Sequence, residues 1–245
     1  MKTTNTILGI DLGGTNVRAG LVGPDQALKI ASARIRAAGP ADHILEDIYT
    51  VTDQMFHPGV TAIGIGVPSV VDVEEGIVYD VQNIPSWREV PLKALMEARY
   101  KVPVLVNNDA NCFVLGEKYF GKARGAHAVV GLAIGTGMGA GIVVKDKLFS
   151  GTNCGAGEFG MVAYLDQFYE YYASGQYFKN VHDSSGEIFY EKAQRGEADG
   201  LAAFAELGGH IGNAIKMILY TYDPEMIILG GSIAQTYPFF QEAMW

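Results

Sequence analysis

Apolar residues occur in short runs along the chain, separated by glycine-rich turns and by longer stretches of mixed character. Runs at residues 7–10 and 17–22 flank one glycine-rich turn, and runs at residues 129–133 and 140–144 flank another. Because two short apolar runs joined by a tight turn are typical of a β-hairpin, each unit predicts one hairpin. This order differs from the strand, loop and helix of a Walker motif or a dinucleotide-binding fold.

Between the two hairpins the pattern predicts alternating strands and helices. Apolar side chains recur at helical spacing in some segments, whereas continuous apolar runs in others indicate strands buried on both faces. A strand, a helix, a strand, a helix, a strand and a helix are predicted, in that order, over residues 27–35, 41–56, 61–67, 91–100, 102–106 and 109–120.

The same order of elements recurs, more loosely and with longer insertions, from residue 126 onward. A duplicated α/β unit predicts two lobes with a nucleotide between them. We therefore expect an N-terminal α/β lobe at residues 1–107 and a C-terminal α/β lobe at residues 108–245, each containing one of the hairpins.

The composition is that of an ordinary folded protein and argues against several classes. Hydrophobic residues make up 49% of the 245 residues, so no segment is expected to be disordered. The net charge of −9 and the lack of Lys- and Arg-rich runs argue against nucleic-acid and membrane partners. Cys112 and Cys154 form neither a disulfide framework nor a metal motif. The N-terminus does not resemble a signal peptide, which favours a cytoplasmic protein.

The two hairpin tips have the chemistry of phosphate-binding loops. Glycines permit positive φ and leave no side chain in the way, so backbone N–H groups and a threonine hydroxyl can face an anion. Each tip alone is equally consistent with an ordinary tight turn, but the pair together favours a polyphosphate ligand. The nucleotide-binding candidates in these tips are Gly13, Gly14, Thr15, Asn16, Gly135, Thr136 and Gly137.

Asp11 directly precedes the first tip, at the end of an apolar run. A buried carboxylate is costly unless a cation meets it, and Mg²⁺ with its waters is the natural partner beside phosphates. The sequence therefore predicts magnesium near Asp11, bound through water.

Six motifs resemble those of the repressor/ORF/kinase (ROK) family of sugar kinases and occur in the same order. They span nearly the whole chain and read DLGGTN, GIGVPSVVD, NDAN, GTGMG, GEFG and LGGS, at residues 11–16, 64–72, 108–111, 135–139, 157–160 and 229–232. The resemblance implies an α/β fold of the duplicated actin/hexokinase-like (ribonuclease H-like) type, with two lobes and the active site in the interlobe cleft.

The resemblance also implies the activity and the cofactors. It implies ATP-dependent phosphorylation of a hexose or N-acetylhexosamine, with glucose to glucose 6-phosphate as the first expectation and Mg²⁺ as the ion. Gly230 and Gly231 match the loop on the adenine side of the nucleotide. A homodimer is expected. The choice among hexoses, and between ATP and polyphosphate as donor, stays open.

Asp109 matches the residue that serves as general base in this family and takes the proton of the attacking sugar hydroxyl. The alternative is structural, because Asn108 or Asp109 could cap the helix that follows. Both interpretations stay open at the level of the sequence.

Four further residues match family positions that bind sugar hydroxyls, together with Asp109 itself. Carboxylates and amides converging on one cleft suit a polyhydroxylated ligand, because hydroxyls need directional acceptors. Structural alternatives exist, since the first of the four could be a turn residue and the last a solvated helix residue. The four are Asn83, Asn108, Glu158 and Glu170.

The chain departs from the family pattern in two places. Met161 occupies the position where relatives carry a zinc-binding His, and residues 162–169 contain neither Cys nor His. We expect packing to order this loop instead, through the aromatic cluster Tyr164, Phe168, Tyr169, Tyr171 and Tyr172. The chain also ends at Trp245, where relatives continue through a further strand and helix, so the second lobe is expected to be shortened.

Three rival functions were weighed against a sugar kinase. The first is a non-catalytic sugar sensor, since the family includes repressors, although only six residues precede Ile7 and leave no room for a helix-turn-helix. The second is a weakly active pseudokinase that binds sugar. The third is an actin-like or chaperone ATPase, against which the NDAN motif and Glu158 argue.

The loop composition predicts an enzyme that does not depend on zinc. A zinc site needs about four nitrogen or sulfur ligands, and no cysteine follows Cys154. Purified protein should therefore carry far less than stoichiometric zinc by elemental analysis and keep its Tm in a zinc-selective chelator. Stoichiometric zinc, or a Tm lowered by the chelator, would contradict this. Activity should still require Mg²⁺, because the phosphates of ATP need a hard divalent ion.

Overall fold

A computed structural model describes residues 6–22, 27–81 and 83–245. The chain forms two compact units. The first consists of Met1–Cys112 together with Gly151–Gly155, and the second of Phe113–Ser150 together with Ala156–Trp245. The sequence places the lobe boundary after residue 107; the division between the compact units falls after Cys112, and one later segment joins the first unit.

The first unit contains strands that alternate with helices in the predicted order. The strands are β1 (Thr6–Leu12), β2 (Asn16–Val22), β3 (Ala27–Arg34), β4 (Val60–Val67), β5 (Val70–Asp72), β6 (Ile77–Tyr79), β7 (Glu89–Val90) and β8 (Val104–Asn108). The helices are α1 (Ala41–Asp53) and α2 (Leu92–Tyr100), and α3 (Asp109–Tyr119) begins in this unit. The six elements predicted between the hairpins are confirmed, with small shifts at their ends. The small sheet β5-β6-β7 was not predicted.

Five strands of the first unit form one mixed sheet in the order β3-β2-β1-β4-β8. β1 pairs with β2 antiparallel, which confirms the first predicted hairpin, and it pairs with β4 parallel. β4 pairs with β8 parallel as well. Because parallel strands end at the same edge of a sheet, the segments that follow β1, β4 and β8 are brought together there.

One face of this sheet is covered by an apolar core. α1 contributes Ile44, Ile48 and Val51, all fully buried, at the three- and four-residue spacing of an amphipathic helix. The alternate residues of β1, Leu8, Ile10 and Leu12, point into the same core. The alternation therefore leaves Asp11 on the opposite, exposed face of the strand.

The second unit combines a smaller sheet with a larger number of helices. Its strands are β9 (Val129–Ile134), β10 (Met138–Val144), β11 (Lys147–Leu148), β12 (Ala163–Tyr164), β13 (Gln167–Phe168) and β14 (Met226–Gly230). Its helices are α4 (Tyr169–Ala173), α5 (Gln176–His182), α6 (Gly186–Gln194), α7 (Ala198–Tyr222), α8 (Gly231–Ala234) and α9 (Tyr237–Met244), with a single 3₁₀ turn at Phe159–Met161.

The main sheet of the second unit has the order β11-β10-β9-β14. β9 and β10 are antiparallel, which confirms the second hairpin, and β14 is parallel to β9. The second unit thus repeats the three strands, the helices that follow them, and one further strand with helices. The last predicted strand and helix do not follow among the described residues, and the hairpin β12-β13 was not predicted. α7 packs against α9 through an apolar stripe that includes Phe204, Leu207 and Ile211. Among the described residues no helix, α7 included, is long and apolar enough to cross a membrane.

Candidate active site

The first hairpin tip presents unpaired backbone donors. The N–H of Gly13 donates to the Asn16 carbonyl at 2.8 Å and closes the turn, while the Thr15 carbonyl accepts from the N–H of Ile35 at 2.9 Å. Within the described part of the chain, the N–H groups of Gly14 and Thr15 have no hydrogen-bond partner. Two consecutive N–H groups of this kind can donate to an anion, although neither Gly13 nor Gly14 has the positive φ that glycine permits.

Asn83 lies directly against the first tip. A Cβ added to Gly14 would lie 2.8 Å from the Cβ of Asn83, so only glycine permits this approach. The residue predicted to bind sugar and the first predicted phosphate loop therefore lie side by side.

The second hairpin tip has the same arrangement of donors. The N–H of Gly135 donates to the Gly137 carbonyl at 2.9 Å and closes the turn. Among the described residues, the N–H groups of Thr136 and Gly137 have no partner. Both predicted phosphate loops thus leave two adjacent N–H groups available to an anion.

Asp11 is in a different environment from the one predicted. Its side chain is 59% exposed and lies 3.8 Å from the Arg18 guanidinium. The expectation that burial would demand a cation is therefore wrong, because the strand alternation turns this carboxylate outward. No cluster of three or more His, Cys, Asp or Glu side chains suited to a metal occurs in the described residues. A single outward carboxylate still suits Mg²⁺, which keeps several waters and takes its other ligands from phosphates.

Asn108 has the geometry of the N-cap of α3. Its Oδ1 accepts from the N–H of Ala110 at 2.9 Å and from that of Asn111 at 3.3 Å. Asp109 is the first residue of the helix, and its side chain is exposed. The Oδ1 of Asp109 also accepts from the N–H of Ala110, at 2.8 Å, so both residues contact the helix start and only Asn108 reaches two of its N–H groups.

The carboxylates of Asp11 and Asp109 lie near the same partly buried thiol. Burial, followed by the negative charges of Asp109 and Asp11, raises the pKa of Cys112 to about 11. Gly66 of β4 pairs with Asp11, and a Cβ there would lie 3.4 Å from the Cys112 sulfur. The edge where β1, β4 and β8 end therefore holds both acids, and the thiol stays protonated at neutral pH.

Glu158 and Glu170 are neighbours in the second unit. Partial burial raises the pKa of Glu158, and the nearby Glu170 carboxylate raises it further. Both carboxylate oxygens of Glu170 accept from the protein, since Oε2 accepts from the N–H of Met138 at 2.9 Å and Oε1 from the Gln176 amide at 2.8 Å. Met161, the last residue of the 3₁₀ turn, is 62% exposed.

The loop that follows Met161 is ordered by aromatic packing, as predicted. Tyr164 stacks on Tyr169 with ring centroids 4.3 Å apart and meets Tyr172 edge-on at 6.0 Å. Phe168 and Tyr171 complete the cluster.

His210 of α7 lies at the centre of this aromatic cluster and was missed by the sequence reasoning. Its Nδ1 lies 3.1 Å from the Tyr164 hydroxyl, which also accepts from the Asn213 amide at 3.1 Å. Its Nε2 is buried without a hydrogen-bond partner in the described residues, and Glu206 Oε1, at 3.8 Å, is too far to serve as one. The sequence signal that could have identified its burial is a histidine among the apolar positions of a long helix.

A cavity of about 520 Å³ adjoins the second hairpin and was also missed. Gly230 ends β14 and Gly231 begins α8, directly before Ser232 and Ile233 of the cavity lining. Gly231 has φ +85°, which favours glycine. The volume and mixed lining suit a nucleoside-sized ligand. Its apolar wall includes Phe178, Tyr190, Phe204 and Ile233, and its polar groups include Thr136, Gln176 and Ser232.

Comparison with known proteins places the chain in a family. The ROK family model matches residues 7–244. A glucokinase of Thermotoga maritima is 30% identical over 264 aligned residues, which cover 94% of this chain and 82% of that protein. The xylose repressor of Bacillus subtilis is 29% identical over 202 residues, covering 76% of this chain and 52% of the repressor.

Solved structures agree with this placement. A ROK family glucokinase from Streptomyces griseus, in complex with glucose and AMPPNP, superposes with a TM-score of 0.85 at 27% identity, covering 98% of this chain and 87% of that one. The chain belongs to the ROK family, and the predicted fold class, α/β of the actin/hexokinase-like type, is confirmed.

The buried imidazole of His210 predicts a loss of stability in acid. Burial lowers its pKa, and the Glu206 carboxylate opposes that shift only in part. As pH falls below about 6.5, the unfolded chain therefore takes up the proton first, and stability declines until the pH reaches the folded-state pKa. The Tm of the wild type should thus fall more steeply on acidification through this range than that of His210→Phe.

The matched control for this prediction is His57→Gln, which removes an exposed histidine from the first unit. Its Tm should follow the wild-type pH dependence. The groups facing His210 are Tyr164, Tyr172, Tyr177 and its own helix neighbour Glu206. Equal slopes for the wild type and His210→Phe would show that another group causes the acid sensitivity.

Proposed function

We propose that this protein is a sugar kinase that transfers the γ-phosphoryl group of ATP to a hexose, with glucose to glucose 6-phosphate as the first candidate reaction. The observation that carries the proposal is the pair of hairpin tips, each with two adjacent N–H groups that lack a protein partner. The similar glucokinases of T. maritima and S. griseus support it, the latter solved with glucose and AMPPNP.

The nucleotide is proposed to bind at the second hairpin and the adjoining cavity. Thr136 and Gly137 would donate to phosphate oxygens, and the loop at Gly230 and Gly231 would border the nucleoside in the cavity. Mg²⁺ would accompany the phosphates, with Asp11 as a water-mediated partner, and would neutralise charge during transfer. Gly13, Gly14, Thr15 and Asn16 of the first tip would offer further donors to phosphate.

Asp109 is proposed as the general base. It lies at the positive end of α3, whose dipole favours the ionised carboxylate that a base requires. Asn83 and Asn108 lie in the same unit and would bind sugar hydroxyls. Glu158, whose raised pKa marks a partly desolvated carboxyl, is the proposed sugar ligand of the second unit. A cytoplasmic location and a homodimer remain part of this proposal.

The second candidate function is a sugar-binding sensor without turnover. The similarity to the B. subtilis xylose repressor favours it, as does Met161 in place of the usual histidine. A coupled ADP-release assay over a panel of hexoses and N-acetylhexosamines separates the two. ADP release with at least one sugar supports the kinase; calorimetric sugar binding with no ADP release across the panel supports the sensor.

Substituting the proposed base tests the mechanism. Asp109→Asn should lower kcat by on the order of 10²–10⁴-fold, because the amide cannot take the hydroxyl proton, while sugar affinity changes little. The Tm should be retained, because Asn108 provides the helix cap.

The matched control is Asp42→Asn, which removes the acid from the first turn of α1 and should leave kcat unchanged. A lowered Tm in Asp109→Asn, with wild-type kcat per folded molecule, would show that the role of Asp109 is structural.

A further inference from the structure

A cavity of about 400 Å³ lies in the first unit, beside the first hairpin tip. It is lined by Gly14 and Thr15 of the tip and by residues 34–39, which continue from the end of β3. The two tip residues whose N–H groups lack a protein partner in the described chain therefore border this cavity. Its volume lies within the range of sites that bind small molecules.

Backbone contacts attach the wall of this cavity to the tip. Arg34 of β3 lies opposite Asn16 of β2 in the antiparallel ladder. The N–H of Ile35 donates to the Thr15 carbonyl at 2.9 Å. The N–H of Gly39 donates to the Arg36 carbonyl at 2.6 Å and closes the turn that follows β3. The backbone of Arg34 is thus held next to the tip by pairing between β2 and β3.

The two arginines that line the cavity differ in their partners. Arg36 is committed to α1, since its Nε donates to Asp47 Oδ1 at 2.9 Å and its guanidinium lies 3.0 Å from Glu46 Oε2. The side chain of Arg34 is exposed and has neither an ion pair nor a hydrogen bond within the described residues. A guanidinium stays charged and presents a planar fork of donors that matches a phosphate group. Arg34 is therefore the arginine of this wall that is available to a ligand.

The charges on this face of the sheet also favour an anion. Residues that lie opposite each other on paired strands share a face, as do residues two apart on one strand. Arg18 lies opposite Asp11, and Arg34 lies opposite Asn16, so both arginines share the face of Asp11. The Asp11 carboxylate is 3.8 Å from the Arg18 guanidinium, which leaves the charge of Arg34 without a counterion there. In a chain of net charge −9, a local positive charge beside two N–H donors attracts an anion.

We propose that Arg34 and the first hairpin tip together form a phosphate site, and that Arg34 binds a phosphate group of the phosphoryl donor. The N–H groups of Gly14 and Thr15 supply backbone donors, and the guanidinium supplies the charge-assisted hydrogen bonds that are stronger than neutral ones. Sequence reasoning missed Arg34 because pairing between β2 and β3, and not a motif, brings it to the tip. The inference rests on the proposed kinase function, which supplies the donor.

The test compares ligand binding by variants of Arg34 in calorimetry. Arg34→Gln should weaken the binding of MgAMPPNP and of tripolyphosphate by on the order of 10- to 100-fold, the effect of losing a hydrogen bond to a charged group. Arg34→Lys should keep part of the affinity, because the charge is retained and the planar fork is lost. Glucose binding without nucleotide should be unchanged. The Tm of both variants should match that of the wild type, because the side chain has no partner among the described residues.

The matched control is Lys29→Gln, which removes an exposed positive charge from the same strand and should leave both affinities unchanged. An equal loss in Lys29→Gln would overturn the proposal, because it would show a general effect of charge. Equal affinities for the wild type and Arg34→Gln would overturn it as well.

A second measurement locates the bound phosphate. In NMR of the wild type, tripolyphosphate should shift the amide resonances of Gly14 and Thr15, and Arg34→Gln should require a correspondingly higher concentration for the same shift. Any shift of Thr136, at the second tip, should keep its wild-type concentration dependence. Weakened binding without a response of Gly14 and Thr15 would contradict a site at the first tip.

The two ligands separate this inference from the proposed function. If the wild type bound tripolyphosphate with this dependence on Arg34 but bound no MgAMPPNP, ATP would fail as the donor and the phosphate site would stand. Binding of MgAMPPNP that Arg34→Gln leaves unchanged would support the kinase and overturn the role of Arg34. If the wild type bound neither ligand, both proposals would fail.

Discussion

One backbone hydrogen bond closes each hairpin tip, and the candidate phosphate loops depend on it. At each tip the turn is closed by one hydrogen bond, from Gly13 to Asn16 or from Gly135 to Gly137, and the next two N–H groups are left without a partner. Thr15 and Thr136 are exposed, so either water or a ligand can accept from the N–H groups that lack a protein partner at these tips. Both units have a tip with one closing hydrogen bond and two adjacent N–H groups that lack a protein partner among the described residues. This recurrence favours a shared ligand-binding role over an incidental irregularity of one loop.

In the first unit, adjacent residues share the start of one helix. Asn108 ends β8, and its side chain accepts from two N–H groups at the start of α3. Asp109 occupies the first helical turn, where the helix dipole favours its charge and its Oδ1 accepts from the N–H of Ala110 at 2.8 Å. The parallel pairing of β1, β4 and β8 brings this helix start to the edge where the strand that carries Asp11 ends. Local capping and sheet topology together place two acids near one partly buried thiol.

The sequence predicted what depends on local pattern, and it failed where distant contacts decide. The hairpins and α1 followed from the period of apolar residues and from glycine. The outward direction of Asp11 followed from the same alternation, but the apolar run around it was mistaken for full burial. The engagement of Glu170 could not be predicted, because Met138 and Gln176 become its partners only when α4 packs beside the second hairpin. The burial of His210 could not be predicted for the same reason, because its aromatic neighbours come from three other elements, β12, α4 and α5.

In the second unit, packing between aromatic side chains orders the loop that follows Met161, whose sequence contains no Cys or His. Tyr164 and Tyr169 stack, and His210 links Tyr164 to α7, so the loop after Met161 is fixed to the longest helix of the unit. α4 begins at Tyr169 and carries Glu170 in its next position. The same stack that orders the loop therefore sets the position of the carboxylate that holds the hairpin. Side chains of the chain itself, an aromatic cluster with a buried imidazole, give this support, and the imidazole is expected to make it sensitive to pH.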